Sequence, residues 1–250
     1  MIIKEWVKIP YLNCERMLHI YVPDVKKQKK LPVLYMFDGH NLFYDEDATY
    51  GKSWGIKEYL DKQEAQLIVV GIECSHEGNN RMSEFSPYSF DRPKWGKVEA
   101  SGQKFFKWMI EELKPYIDDK FPTYTDAKHT YVAGSSMGGL MAVYGGVKHH
   151  DVFSKSVCVS TAFGFGYAPL MKDIHANKDL SKSQFYFSFG EYEANDTAYF
   201  ARMVDMNLSC SLALQQRGAK TFVHCMMGGY HNEASWEKEL PMFFNELEIL

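Results

Sequence analysis

The stretch Gly134-Ser135-Ser136-Met137-Gly138 matches G-x-S-x-G. In that pattern a serine stands on a strained turn between strand and helix, with its hydroxyl held above a sheet. The neighbours suit this geometry, with an apolar strand run from Thr130 to Ala133 before it and an apolar helical run from Leu140 to Tyr144 behind it. The flanking glycines have a steric reason, since a side chain at either would crowd the helix packing back on the strand. Ser136 is the nucleophile position; Ser135 is out of register, because it would need glycine at Ala133 and Met137. The chemistry such a serine serves is attack on an acyl carbon, and it requires a base, because a free hydroxyl is a poor nucleophile at neutral pH.

Nine histidines are candidates for that base. His149 and His150 close the helix after the elbow, where a cation suits the helix dipole. His19, His129 and His224 fall in expected strands, and His76 and His175 lack supporting neighbours. His231 lies in Gly228-Gly229-Tyr230-His231-Asn232, just beyond the last strand, where loops at the carboxyl ends of strands gather. An orienting carboxylate is expected between serine and histidine in chain order. Glu193 follows the strand-end Gly190 by three residues and meets that requirement, with Glu191 and Asp196 as rivals. Asp196 has a competing role as a helix cap. The oxyanion needs two backbone N–H donors. Met137 supplies one, and His40, in the turn Asp38-Gly39-His40-Asn41-Leu42-Phe43, supplies the other through its backbone. The His40 side chain precedes the nucleophile and so breaks the expected order for a base.

Strands and helices must bring these segments together. Strands are expected at Ile2 to Ile9, Met17 to Val22, Leu31 to Phe37, Leu67 to Ile72, the elbow strand, Ser156 to Val159, Phe185 to Phe189 and Thr221 to Met226. Helices are expected at Trp54 to Ala65, Gly102 to Lys120, Ala168 to Asn177, Asn195 to Arg217 and Asn232 to Leu250, the last interrupted near Pro241. An antiparallel start followed by alternating strands and helices implies an α/β fold with a mostly parallel sheet covered on both faces. The span Glu73 to Ser101 reads as one long loop, either a lid carrying Arg81 or, preferred here, a segment tied down by an Arg81–Glu84 ion pair.

The 250 residues are 46% hydrophobic, enough for one large core, and read as a single domain over 1–250. A net charge of −4 with no basic run beyond Lys26 to Lys30, itself read as a solvated hairpin turn, argues against nucleic acid as a partner. Five cysteines without a C-x-x-C pair fit reduced thiols in a cytoplasmic enzyme. A signal-peptide core and a membrane-length apolar run are both missing, so no membrane partner is expected. Neither H-E-x-x-H nor C-x-x-C occurs, so no metal site is expected from motif spacing. Aromatic residues near strand ends, Phe43, Tyr50, Trp54, Phe163, Phe165 and Tyr167, are candidates to line a substrate pocket.

Taken together, Asp38 to Phe43, Trp54-Gly55, Arg81 with Glu84 and Pro87, Gly134 to Gly139, Gly190 to Glu193 and His231 to Trp236 resemble the putative-esterase family of α/β-hydrolases. That family includes esterase D, enterobactin, feruloyl and acetylxylan esterases, and the antigen 85 mycolyltransferases. The resemblance covers nearly the whole chain and implies Ser136 as nucleophile, His231 as base, Glu193 as acid, and His40 with Met137 as oxyanion donors. It also implies an eight-stranded core sheet, no cofactor and no metal. The sequence departs from related ones in having His40 where they often carry Gln, and some members work with a Ser-His dyad. The expected function is a serine esterase acting through an acyl-enzyme on a small-molecule ester. Acyl transfer to an alcohol and a non-catalytic binding module on the same fold are the alternatives.

Overall fold

In the computed structural model, which describes residues 1–24 and 29–250, the apolar runs form strands close to their expected bounds. The lysine-rich turn expected at Lys26 to Lys30 lies, in its first three positions, outside the described residues. Strands β1 (Ile2–Ile9) and β2 (Cys14–Tyr21) make an antiparallel edge hairpin registered from Ile2↔Tyr21 to Ile9↔Cys14. Strand β3 (Val33–Phe37), helix α1 (Ile56–Lys62) and strand β4 (Ile68–Ile72) follow, and every residue of β3 and β4 is buried. Such strands need covering on both faces, which explains their unbroken apolar sequences.

The segment expected to be one loop over Glu73 to Ser101 contains helix α2 (Asn80–Glu84) and a hairpin of β5 (Phe90–Arg92) and β6 (Gly96–Val98). These elements were hidden because each is too short to show a period. Helix α3 (Gly102–Trp108) runs through a π-helical turn at Met109–Leu113 into α4 (Lys114–Lys120). Pro115 has no N–H to donate and its ring would crowd the carbonyl a turn behind, and the widened turn accommodates it.

The elbow strand β7 (Thr130–Ser135) leads to helix α5 (Met137–Lys148), then β8 (Lys155–Val159), α6 (Tyr167–Ala176) and β9 (Gln184–Gly190). Helix α7 (Thr197–Gln215), strand β10 (Lys220–Met226) and the broken C-terminal helix, α8 (Glu233–Trp236) and α9 (Leu240–Glu246), complete the chain. Proline at the start of α9 marks the break. The eight-stranded sheet has the order β1-β2-β4-β3-β7-β8-β9-β10. Its strands from β4 to β10 run parallel, giving the expected α/β fold. No helix among the described residues is long and apolar enough to cross a membrane.

Alternation along β3 divides the core. Val33, Tyr35 and Phe37 join Phe105, Phe106, Leu140 and Val143 on one face, while Leu34 and Met36 join Trp54, Leu60, Trp236 and Phe243 on the other. The elbow depends on close backbone approach: a Cβ added at Gly134 would lie 2.5 Å from the carbonyl carbon of Gly138. Gly134→Ala is therefore expected to lower unfolding free energy by about 1–3 kcal/mol, the range for overpacking. Urea titration should show a lower midpoint at unchanged slope; an unchanged midpoint would mean that helix and strand do not need this contact.

Candidate active site

Ser136 sits between β7 and α5 with φ 56° and ψ −118°, a conformation that side-chain-bearing residues rarely adopt. Three backbone hydrogen bonds hold it there. Its N–H donates to the Val159 carbonyl at 3.0 Å, and its own carbonyl accepts from Leu140 at 3.1 Å and Ala162 at 3.0 Å. The turn is thus tied to its own helix and to the strand beside it. Met137 opens α5, where its N–H has no carbonyl one turn behind it to receive it.

The ends of β9 and β10 bring two further groups together. Gly190 lies against the Gly229 backbone so closely that a Cβ there would strike the Gly229 carbonyl, and Tyr192 N–H donates to that carbonyl at 2.8 Å. His231 Nδ1 stands 2.8 Å from Glu193 Oε2. The other carboxylate oxygen, Oε1, accepts from Gly190 N–H and Ser160 Oγ, both at 2.6 Å. Ser160 Oγ in turn accepts from the Trp236 indole N–H at 2.8 Å. Each oxygen of a nearly buried carboxylate therefore has a partner, as a charge withdrawn from water requires. The rivals are occupied elsewhere: Glu191 Oε2 accepts from Gly228 N–H at 2.9 Å, and Asp196 Oδ1 caps α7 by accepting from Tyr199 N–H at 2.7 Å. Asn232 caps α8 through Ser235 N–H at 3.0 Å, and Ser235 Oγ accepts from Tyr230 N–H at 2.9 Å, so the His231 loop is clipped on both sides.

After β3 the chain enters a short 3-10 turn, Gly39–Asn41, in which His40 N–H has no partner within the turn itself. Asp38, at φ 59°, leads into it. Its carboxylate accepts two parallel hydrogen bonds from Arg81, each 2.7 Å. Burial alone would push the Asp38 carboxyl up, but the facing guanidinium holds it below its ordinary value. The expected Arg81–Glu84 pair is therefore corrected. Glu84 pairs with Arg16 of β2 and accepts from Ser75 N–H at 2.8 Å. Three residues apart in sequence, the two side chains part in space, Glu84 reaching Arg16 of the sheet and Arg81 the turn after β3.

Ser136 and His231 line one cavity of about 390 Å³, together with Asp38, His40, Asn41, Tyr50, Arg81 and Trp236. Phe43, Trp54, Phe163 and Phe165 do not line it, which corrects the expectation that they form its walls. Phe43, Trp54 and Phe163 are buried core residues at 2%, 1% and 1% exposure, and Phe165 packs on Phe90 with ring centroids 4.9 Å apart. Apolar rings near strand ends gain more by joining the core than by facing a polar cleft. Of the aromatic candidates only Tyr50 reaches the cavity, from an exposed turn. His40, Cys74 and His76 also meet in this wall, with one donor atom from each within 4.8 Å of the others. Sequence reasoning missed Ser160 and the Asp38–Arg81 pair. Ser160 takes up φ 48° beyond the end of β8, which no short motif announces.

A ferulic acid esterase superposes with TM-score 0.72 at 19% identity, covering 100% of this chain and 98% of that one. An IroE-like serine hydrolase from Shewanella oneidensis gives 0.78 at 18%, covering 99% and 80%. The enterobactin esterase FES from Shigella flexneri gives 0.74 at 17%, covering 99% and 60%. At these identities the likeness speaks for the fold. A family model described as "Putative esterase" matches residues 9–247, so the chain belongs to that esterase family, which supports ester hydrolysis in general as its chemistry.

Proposed function

We propose that the protein is a serine carboxylic-ester hydrolase working through an acyl-enzyme, with the whole chain acting as one α/β-hydrolase domain. The observation that carries this reading is the 2.8 Å contact between His231 Nδ1 and Glu193, with His231 lining the same cavity as the strained Ser136. Ser136 Oγ attacks the ester carbonyl as His231 Nε2 takes its proton, and Glu193 stabilises the imidazolium that forms. The Met137 and His40 N–H groups receive the oxyanion. The tetrahedral intermediate collapses as His231 hands the proton to the departing alcohol, and water then releases the acid by the same steps.

Polar walls favour esters that carry hydrogen-bonding groups, since Asn41, Tyr50, Arg81 and His76 face the space beside Ser136. The structural neighbours named for ferulic acid and enterobactin lend support to aryl esters. Five unpaired thiols fit a reducing compartment such as the cytoplasm.

A fluorophosphonate should label Ser136, and Ser136→Ala should lose both the label and turnover of p-nitrophenyl acetate. Label mapped to another residue, or full activity in the variant, would end the serine reading. No labelling and no turnover across an ester panel would point to a binding module.

Glu193→Gln should reduce kcat by up to about ten-thousand-fold, the scale reported for removing an orienting carboxylate. Glu191→Gln should be far milder, and Asp196→Asn nearly silent, because asparagine caps a helix about as well as aspartate. A collapse in Asp196→Asn alone would reassign the acid, and full activity in all three would leave a Ser136–His231 pair.

Ser160→Ala removes a hydrogen bond to the Glu193 carboxylate. It should lower kcat by roughly 10- to 150-fold at unchanged KM, in keeping with about 1.5–3 kcal/mol for a bond to a charged group. A rise in KM with kcat intact would show that Ser160 serves binding rather than the acid.

A further inference from the structure

We propose that His40, Cys74 and His76 form a metal site for a zinc-class cation, bound through two imidazole nitrogens and a thiolate, and that its occupation reversibly inhibits the esterase. The three residues come from two connections. His40 follows β3, and Cys74 and His76 follow the neighbouring parallel strand β4. Their donor atoms lie within 4.8 Å of one another. Ligands about 2.0–2.3 Å from a tetrahedral zinc are about 3.5 Å apart, so small side-chain adjustments close the site.

The strongest observation is His40. The residue is 6% exposed, and its buried Nδ1 has no hydrogen-bond partner among the described residues. Its other nitrogen, Nε2, is 3.0 Å from Thr49 Oγ1. A ring whose Nε2–H donates to an oxygen presents an Nδ1 lone pair, the arrangement that second-sphere partners impose on metal-bound imidazoles. His76 repeats it. Its Nε2 is 3.3 Å from Glu73 Oε2, which leaves Nδ1 free to turn inward, and its ring centroid is 4.7 Å from that of His40. Glu73 is itself anchored, its Oε1 being 2.7 Å from His19 Nε2.

Cys74 supplies the soft ligand. Its thiol is buried and lies beside the Asp38–Arg81 pair. Binding forms one metal–sulfur bond and releases the thiol proton to solvent, with no change of oxidation state. Two imidazoles and a thiolate select zinc, cobalt or copper over magnesium or calcium. The fourth position opens on the cavity that holds Ser136 and His231, where water completes the shell. A cation there occupies the wall beside which an ester must lie, and it grips the ring of the residue proposed as an oxyanion donor. This inhibitory half rests on the esterase reading, whereas binding does not.

The test uses the full chain stripped with EDTA and titrated with cobalt or zinc alone. Cobalt should produce a thiolate-to-metal charge-transfer band that zinc abolishes, and p-nitrophenyl acetate turnover should fall in step with zinc binding and return with EDTA. Cys74→Ser, nearly isosteric, should lose the band. His76→Ala, a change at an exposed side chain, should weaken zinc by more than about 100-fold, and Thr49→Val by about 10–100-fold. Ser136→Ala and His231→Ala should bind as before. No band, a band that survives in Cys74→Ser, unchanged zinc affinity in His76→Ala, or binding lost in His231→Ala would each overturn the site. Zinc bound with full turnover would overturn the inhibition. An inactive protein that still binds cobalt through Cys74 would uphold the site and refute the esterase reading, with which the inhibitory half falls.

Discussion

A serine at φ 56° and ψ −118° does not hold that shape unaided. Backbone in such regions costs on the order of 1–3 kcal/mol and persists only where its surroundings over-determine it. Here the surroundings are the meeting of β7 and α5 through Gly134 and Gly138, and three hydrogen bonds that tie Ser136 to Val159, Leu140 and Ala162. Those bonds in turn require β8 at its register of Ser135↔Val159, and β8 requires β9 alongside it. The parallel sheet is thus the device that imposes one unfavourable torsion. Every loop described around the cavity is placed by the same strand ends.

Two buried carboxylates stabilise that arrangement in different ways. Asp38 is neutralised by the parallel bonds from Arg81, which links α2 to the turn after β3. Its folded-state value is depressed, so the pair's contribution is present above the ordinary carboxylate range and is lost as pH falls through the lowered value. Among the described residues Glu193 has no cationic partner of fixed charge. It relies on Gly190 N–H, Ser160 and the ring of His231. A carboxylate held by neutral donors retains its electrostatic pull for an imidazole that gains charge during a reaction.

Much of this was legible in the sequence because the strongest signals are local. Unbroken apolar runs such as Val33–Phe37 and Ile68–Ile72 fall where central strands lie, and Asp196 is the cap of α7 as its position suggested. Ser136, Glu193 and His231 each sit at the end of a recognisable strand, so a topological argument sufficed to bring them near one another. Contacts between loops were not legible. Arg81 reaches Asp38 across 43 residues, and Ser160 reaches Glu193 across 33. His40 meets Cys74 and His76 only because β3 and β4 are parallel neighbours, so no metal-ligand spacing could reveal the cluster. The aromatic residues misled for a related reason: position near a strand end does not say which side of the backbone a ring will take.

Trp236 links the two halves of the candidate site. Its indole N–H is bonded to Ser160, and its ring meets that of His231 edge to face with centroids 5.2 Å apart. An indole against an imidazole is also a fluorophore against a quencher. With five tryptophans in the chain, its share of the emission is read as the change between the protein and its His231→Ala variant, without any substrate present. The molecule carries its own optical reporter of whether its base is in place.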